Sequence, residues 1–109
     1  MAFDETLAAR LRDALVGTTG VTEKAMFGGK AFLLDGNMLV GVIQNELVAR
    51  VGPERFEAAV ARNGARPFDF SGRPMSGWVM VAPEGCQTDA SLNAWIEEAL
   101  GYVRTLPRK

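Results

Sequence analysis

The chain has 109 residues, 48% of them hydrophobic, with twelve Lys and Arg against thirteen Asp and Glu. This is the size and composition of one domain with a single core, and a net charge of −1 excludes a global electrostatic pull toward nucleic acid or an anionic membrane. Histidine is absent, which removes the commonest general base, the commonest metal ligand and every His-containing catalytic triad.

In chain order, Leu7, Leu11 and Leu15 recur at helical spacing with Ala8 and Ala14 beside them. They predict an amphipathic helix over residues 4–16, capped by Asp4 and stopped at Gly17. From Val21 to Val51 the pattern changes to short apolar or alternating runs broken by turn residues, which predicts a meander of about four antiparallel strands. Gly28-Gly29 separates residues 22–27 from the next strand. Asp35-Gly36 tolerates the positive φ of a two-residue hairpin turn, and Gln44-Asn45 makes the following turn. Gly52-Pro53-Glu54 reads as a helix start, since proline at the first position loses no needed N–H. That helix is predicted to reach Asn63, with Phe56, Ala59 and Val60 inward and Gly64 as its stop. A short strand over residues 68–70, a turn through Ser71-Gly72-Arg73-Pro74 and a strand over residues 77–81 follow. Leu92, Trp95, Ile96, Ala99, Leu100, Val103 and Leu106 then mark a last helix, capped by Thr88 or Asp89 and ended by Pro107. Gly101 inside it costs about 1 kcal/mol relative to Ala, and reads either as a close packing contact or as simple tolerance. The order α-β-β-β-β-α-β-β-α predicts an α+β fold, an antiparallel sheet with helices covering one face.

The residues that carry chemistry are few. Glu97-Glu98 and Asp4-Glu5 are neighbours in sequence only and read as solvated helix faces. Asp69, between Phe68 and Phe70, is the one acid in an apolar setting, and simple alternation turns it outward on an edge strand. One cysteine and no histidine give no metal-ligand spacing, and no Asp-rich calcium loop is present. No cofactor is expected. Cys86 cannot form an intramolecular disulfide, which points to a reducing cytoplasm. It directly precedes a helix whose dipole can lower a thiol pKa, so a reactive thiol stands beside the structural reading. Met26-Phe27-Gly28-Gly29-Lys30 looks like a phosphate loop but lacks the P-loop spacing and is followed by a strand. The N-terminus has no basic, apolar signal sequence, and no apolar run approaches the ~20 residues that span a bilayer.

Five arginines, Arg50, Arg55, Arg62, Arg66 and Arg73, face Glu54, Glu57 and Asp69 in one segment, a local excess of two positive charges. This is no basic stripe, and no helix-turn-helix, RNP or zinc-finger pattern accompanies it.

Met26-Phe27-Gly28-Gly29, followed by Ala31-Phe32 and Gly36-Asn37-Met38, together with Gly72-Arg73-Pro74-Met75-Ser76-Gly77-Trp78-Val79 and a closing helix bearing Trp95, resembles the N-terminal domain of the TfoX/Sxy family. The resemblance covers nearly the whole chain with its blocks in order. It implies a small α+β domain similar to secretion chaperones. It also implies a link to regulators of bacterial natural competence that act with a cyclic-AMP receptor protein at certain promoters. The longer members carry a second, C-terminal domain; this chain is expected to correspond to the N-terminal module alone, so the competence role is not carried over. Ser76 stands where many relatives are expected to carry a basic residue.

The resulting expectation is a non-catalytic, cytoplasmic regulatory or protein-interaction module whose partner is an unknown protein or a second copy of itself, joined through sheet edges or helix faces. The candidate recognition surface is Phe27, Gly28, Gly29 and Lys30 with Gly72, Arg73, Pro74, Met75 and Trp78, on the expectation that the two blocks meet as loops at one end of the sheet. The same residues also read as turn geometry and core. The alternatives are nucleic-acid binding through the Arg50 to Arg73 region, and a small-ligand receptor or enzyme.

Overall fold

The computed structural model describes residues 3–26, 28–70 and 73–107, with the backbone alone at residues 26, 69–70 and 73–76. Asp4 opens the first element as predicted. Its carboxylate accepts the backbone N–H of Thr6 at 2.9 Å and of Leu7 at 3.1 Å, satisfying two donors that the helix itself leaves free. Helix α1 (Glu5–Ala14) follows and buries Leu7, Ala8 and Leu11.

The predicted meander is β1 (Val21–Met26), β2 (Gly29–Leu34), β3 (Asn37–Ile43) and β4 (Glu46–Arg50), each antiparallel to the next. Asp35 and Gly36 take φ of 51° and 88°. Positive φ at both central residues gives a turn whose twist matches that of the flanking strands.

Helix α2 (Phe56–Val60) is shorter than the predicted 53–63. Pro53 and Glu54 lie in turns, and Arg55 occupies the N-cap position without a side-chain hydrogen bond. No side chain there takes up the first N–H groups, so the helix gains nothing at its start. Ala59 is nevertheless buried, with Phe56 and Val60 packed on the core as expected.

Strands β5 (Ala65–Phe70) and β6 (Arg73–Val81) both begin earlier than predicted, so Arg73 and Pro74 belong to a strand where a turn was expected. The sheet order β1-β2-β3-β4-β6-β5 supplies the reason. β4 ends at Arg50, opposite Trp78, so the first residues of β6 pair with β5 alone. A proline there removes no donor from a two-sided ladder. Pro67 is tolerated for a related reason, because β5 is an edge strand.

After a short 3-10 turn (Pro83–Gly85), Thr88 caps α3 (Asp89–Val103). The Thr88 hydroxyl accepts the Ser91 N–H at 3.0 Å, and the Thr88 N–H donates to the Ser91 hydroxyl at 3.2 Å. The two bonds form a reciprocal cap. All three helices pack on one sheet face, where Leu11, Ala59, Trp95 and Leu100 meet Phe32, Leu47 and Val79. The indole N–H of Trp95 donates to the Gly85 carbonyl at 3.1 Å. The other face holds a smaller cluster of Ala31, Met38, Val48, Phe68 and Met80, with Trp78 at its margin. The predicted α+β class and element order are both observed. Among the described residues no helix is long and apolar enough to cross a membrane.

Candidate functional site

Phe27 and Gly72 lie outside the described residues, as do the side chains of Asp69, Arg73, Pro74 and Met75. Gly28 takes φ of 75°, and a Cβ on Gly29 would stand 1.9 Å from the Val42 carbonyl oxygen. Gly29 is therefore required by a close approach of two strands. Lys30 Nζ lies 3.6 Å from Glu23 Oε2, and Arg12 holds the same carboxylate through bonds of 2.8 and 2.7 Å. The Arg12 hydrogen bond, aided by its charge and that of Lys30, lowers the Glu23 pKa below its ordinary value.

Among the described residues the two predicted blocks do not meet. Lys30 stands opposite Val42, Val42 opposite Leu47, and Leu47 opposite Val81, so this row crosses the sheet to the C-terminal end of β6. Arg73 is at the other end of that strand. Three strand spacings of about 4.8 Å and eight residues at about 3.3 Å each place the two backbones on the order of 30 Å apart. The expected single loop cluster is corrected by strand direction: the β1–β2 connection and the start of β6 fall at opposite ends of the sheet.

Trp78 instead joins residues from outside its own block. It pairs with Arg50 across β4 and β6, and the Arg50 guanidinium carbon lies 5.0 Å from the Trp78 ring centroid and 5.7 Å from that of Tyr102. Both distances are within cation–π range. Two glycines allow this approach. The Gly77 carbonyl accepts the N–H of Val51 at 2.8 Å and of Gly52 at 3.1 Å, tying the end of β4 to β6. Gly52 has φ of 89°, and a Cβ there would meet the Tyr102 ring at 2.3 Å. With hydrogen at that position, α3 lays Tyr102 directly over the backbone leaving β4.

A cavity of about 280 Å³ opens here, lined by Arg50, Gly52, Pro53, Gly77, Trp78 and Tyr102. Pro53 and Tyr102 also line a larger neighbour of about 470 Å³, whose wall includes Glu54, Glu97 and Glu98. Glu98 is engaged by Arg55 at 3.1 Å and by Arg62 at 3.4 Å, and the Arg62 guanidinium carbon stacks 3.7 Å from the Trp95 ring centroid. Arg66 pairs with Glu46 at 2.6 Å. Of the arginines in the basic segment whose side chains are described, Arg50 alone has no carboxylate partner among the described residues.

Kinship is fixed independently of this geometry, by a match of residues 13–102 to the model of the TfoX N-terminal domain. The chain belongs to that family. The matched span contains Arg50, Gly52, Gly77, Trp78 and Tyr102, so the whole corner lies within the TfoX N-terminal domain proper. No curated protein and no solved structure matches the chain.

In this TfoX N-terminal domain the remaining candidate, Cys86, is buried. Its thiol points to the Ala82 carbonyl at 3.7 Å, and burial pushes its pKa up. The activated thiol considered from its place before a helix is thereby corrected: desolvation outweighs the favourable charge of Arg10. No group of residues able to hold a metal ion occurs among the described residues. Sequence reasoning found Trp78 but passed over Tyr102, which falls between apolar positions of α3. A single tyrosine next to the only glycine of that helix was the available signal.

Proposed function

We propose that this TfoX N-terminal domain is a non-catalytic recognition module of the cytoplasm, which binds a partner protein in a regulatory process and does so through the corner formed by Arg50, Trp78 and Tyr102. The supporting observation is the half-buried residue Arg50, its guanidinium held by two rings beside a cavity while its neighbours Arg55, Arg62 and Arg66 are engaged by carboxylates. A surface arginine anchored by aromatic rings is the kind of side chain that dominates protein interfaces. The same ion pairs weigh against the nucleic-acid alternative, because they withdraw three cations from the segment on which it rests.

The test is affinity capture from the native cell with the wild-type domain and with Arg50→Gln, both checked for an intact thermal transition. A protein retained by the wild type and lost with the variant is the expected result. Capture that Arg50→Gln leaves unchanged would defeat the reading. Retention of nucleic acid with a steep salt dependence would replace it.

A further inference from the structure

Resting on that reading of the corner, we infer that the Arg50 pocket binds a carboxylate group. The guanidinium carries five N–H donors in a planar fork. Among the described residues none of them reaches an acceptor, since the interactions made by Arg50 are its contacts with Trp78 and Tyr102. Arg50 is half-buried and lines a cavity of about 280 Å³, and its contacts with the two rings hold the fork before any ligand arrives. Holding it in advance lowers the ordering cost of binding.

A planar fork with free N–H edges matches a carboxylate through two parallel charge-assisted hydrogen bonds. Charge selects against the other common anion. Among the described residues Arg50 is the single cation lining its cavity, and the neighbouring one across Tyr102 is lined by Glu54, Glu97 and Glu98 against Arg55 alone, an excess of negative charge. One positive charge balances a carboxylate, whereas a phosphate dianion or a nucleic-acid backbone would bring further negative charge toward those glutamates. The ligand is thus a monoanion whose remaining part is neutral or cationic and extends over the Tyr102 ring toward the larger cavity.

Two sources can supply such a group, a free organic acid or the C-terminus of a peptide. The probes are benzoate with benzamide, and N-acetyl-trialanine with its C-terminal amide, each titrated into the wild-type domain and followed by NMR at the Trp78 indole N–H and the Arg50 Nε–H. The expected result is a saturable shift of both signals by an acid and not by its amide. Arg50→Gln should weaken that binding about tenfold or more, as loss of a bidentate charged contact does. The arm that binds more tightly identifies the source.

An amide that binds as well as its acid would overturn the inference. So would inorganic phosphate binding more tightly than either acid, no saturable shift with both acids, or a shift retained in Arg50→Gln. The acid-to-amide comparison in the wild type decides the matter even where the variant fails to fold. Carboxylate binding in a domain that captures no protein would sink the partner reading alone. Capture that depends on Arg50 without preference for acid over amide would sink this inference alone.

Discussion

Gly101 is a residue whose two sequence readings the structure separates. A Cβ built there meets nothing within 4 Å, so the glycine is tolerated and not demanded by packing. Gly101→Ala should therefore recover helix propensity and stabilise the domain by about 0.5–1 kcal/mol. A thermal midpoint raised by a few degrees checks this, and a lowered midpoint would reveal a contact at that site. Cys86 makes the opposite point about single positions. Its place in the chain suggested activation by a helix dipole, but Thr88 is the cap, and Cys86 is buried in the core with its thiol turned to the Ala82 carbonyl. With the thiol pKa raised by burial, a thiol reagent near neutral pH should modify native Cys86 more slowly than free cysteine. Modification at or above the free rate would contradict that. Burial is a property of the assembled fold, which is why the residue pattern around Cys86 did not reveal it.

At the scale of elements, legibility followed locality. The caps of α1 and α3, their apolar spacing and the Asp35-Gly36 turn are each written within a few neighbouring residues, and all three were readable. The extent of α2 and the start of β6 were not. α2 is short for want of a cap, while β6 extends back to Arg73 because β5 continues to pair with it after β4 has ended. The link between α1 and β1 is an element-scale feature with a pH signature. Glu23 on β1 receives Arg12 of α1, and its folded pKa is lowered, first by that hydrogen bond. A depressed carboxylate stabilises fully above its unfolded pKa of about 4.3, and this contribution is lost as pH falls through the lower folded value. Urea midpoints measured from neutral to acid pH should show a shallower acid decline in Glu23→Gln than in the wild type. Equal slopes would mean that the pair contributes nothing, as many exposed ion pairs do.

At the scale of the whole molecule, strand direction decides which residues can act together. The family blocks were legible as motifs, but whether two loops share an end of the sheet depends on the parity of reversals and on β6 inserting between β4 and β5. Neither is marked in any local pattern. The same insertion brings Trp78 opposite Arg50 and lets Tyr102 of α3 complete the corner, joining three segments far apart in sequence. The separation of Lys30 from Arg73 has a measurable consequence. Lys30 acts within the Glu23 pair at one end of the sheet, while Arg73 opens β6 at the other. Sites farther apart than about 10 Å without shared partners add to within roughly 0.5 kcal/mol. The unfolding free energies of Lys30→Ala, Arg73→Ala and the double variant should therefore close a cycle with no coupling beyond that margin. A coupling of about 1 kcal/mol or more would require the two ends to communicate across the separation that the strand order gives them.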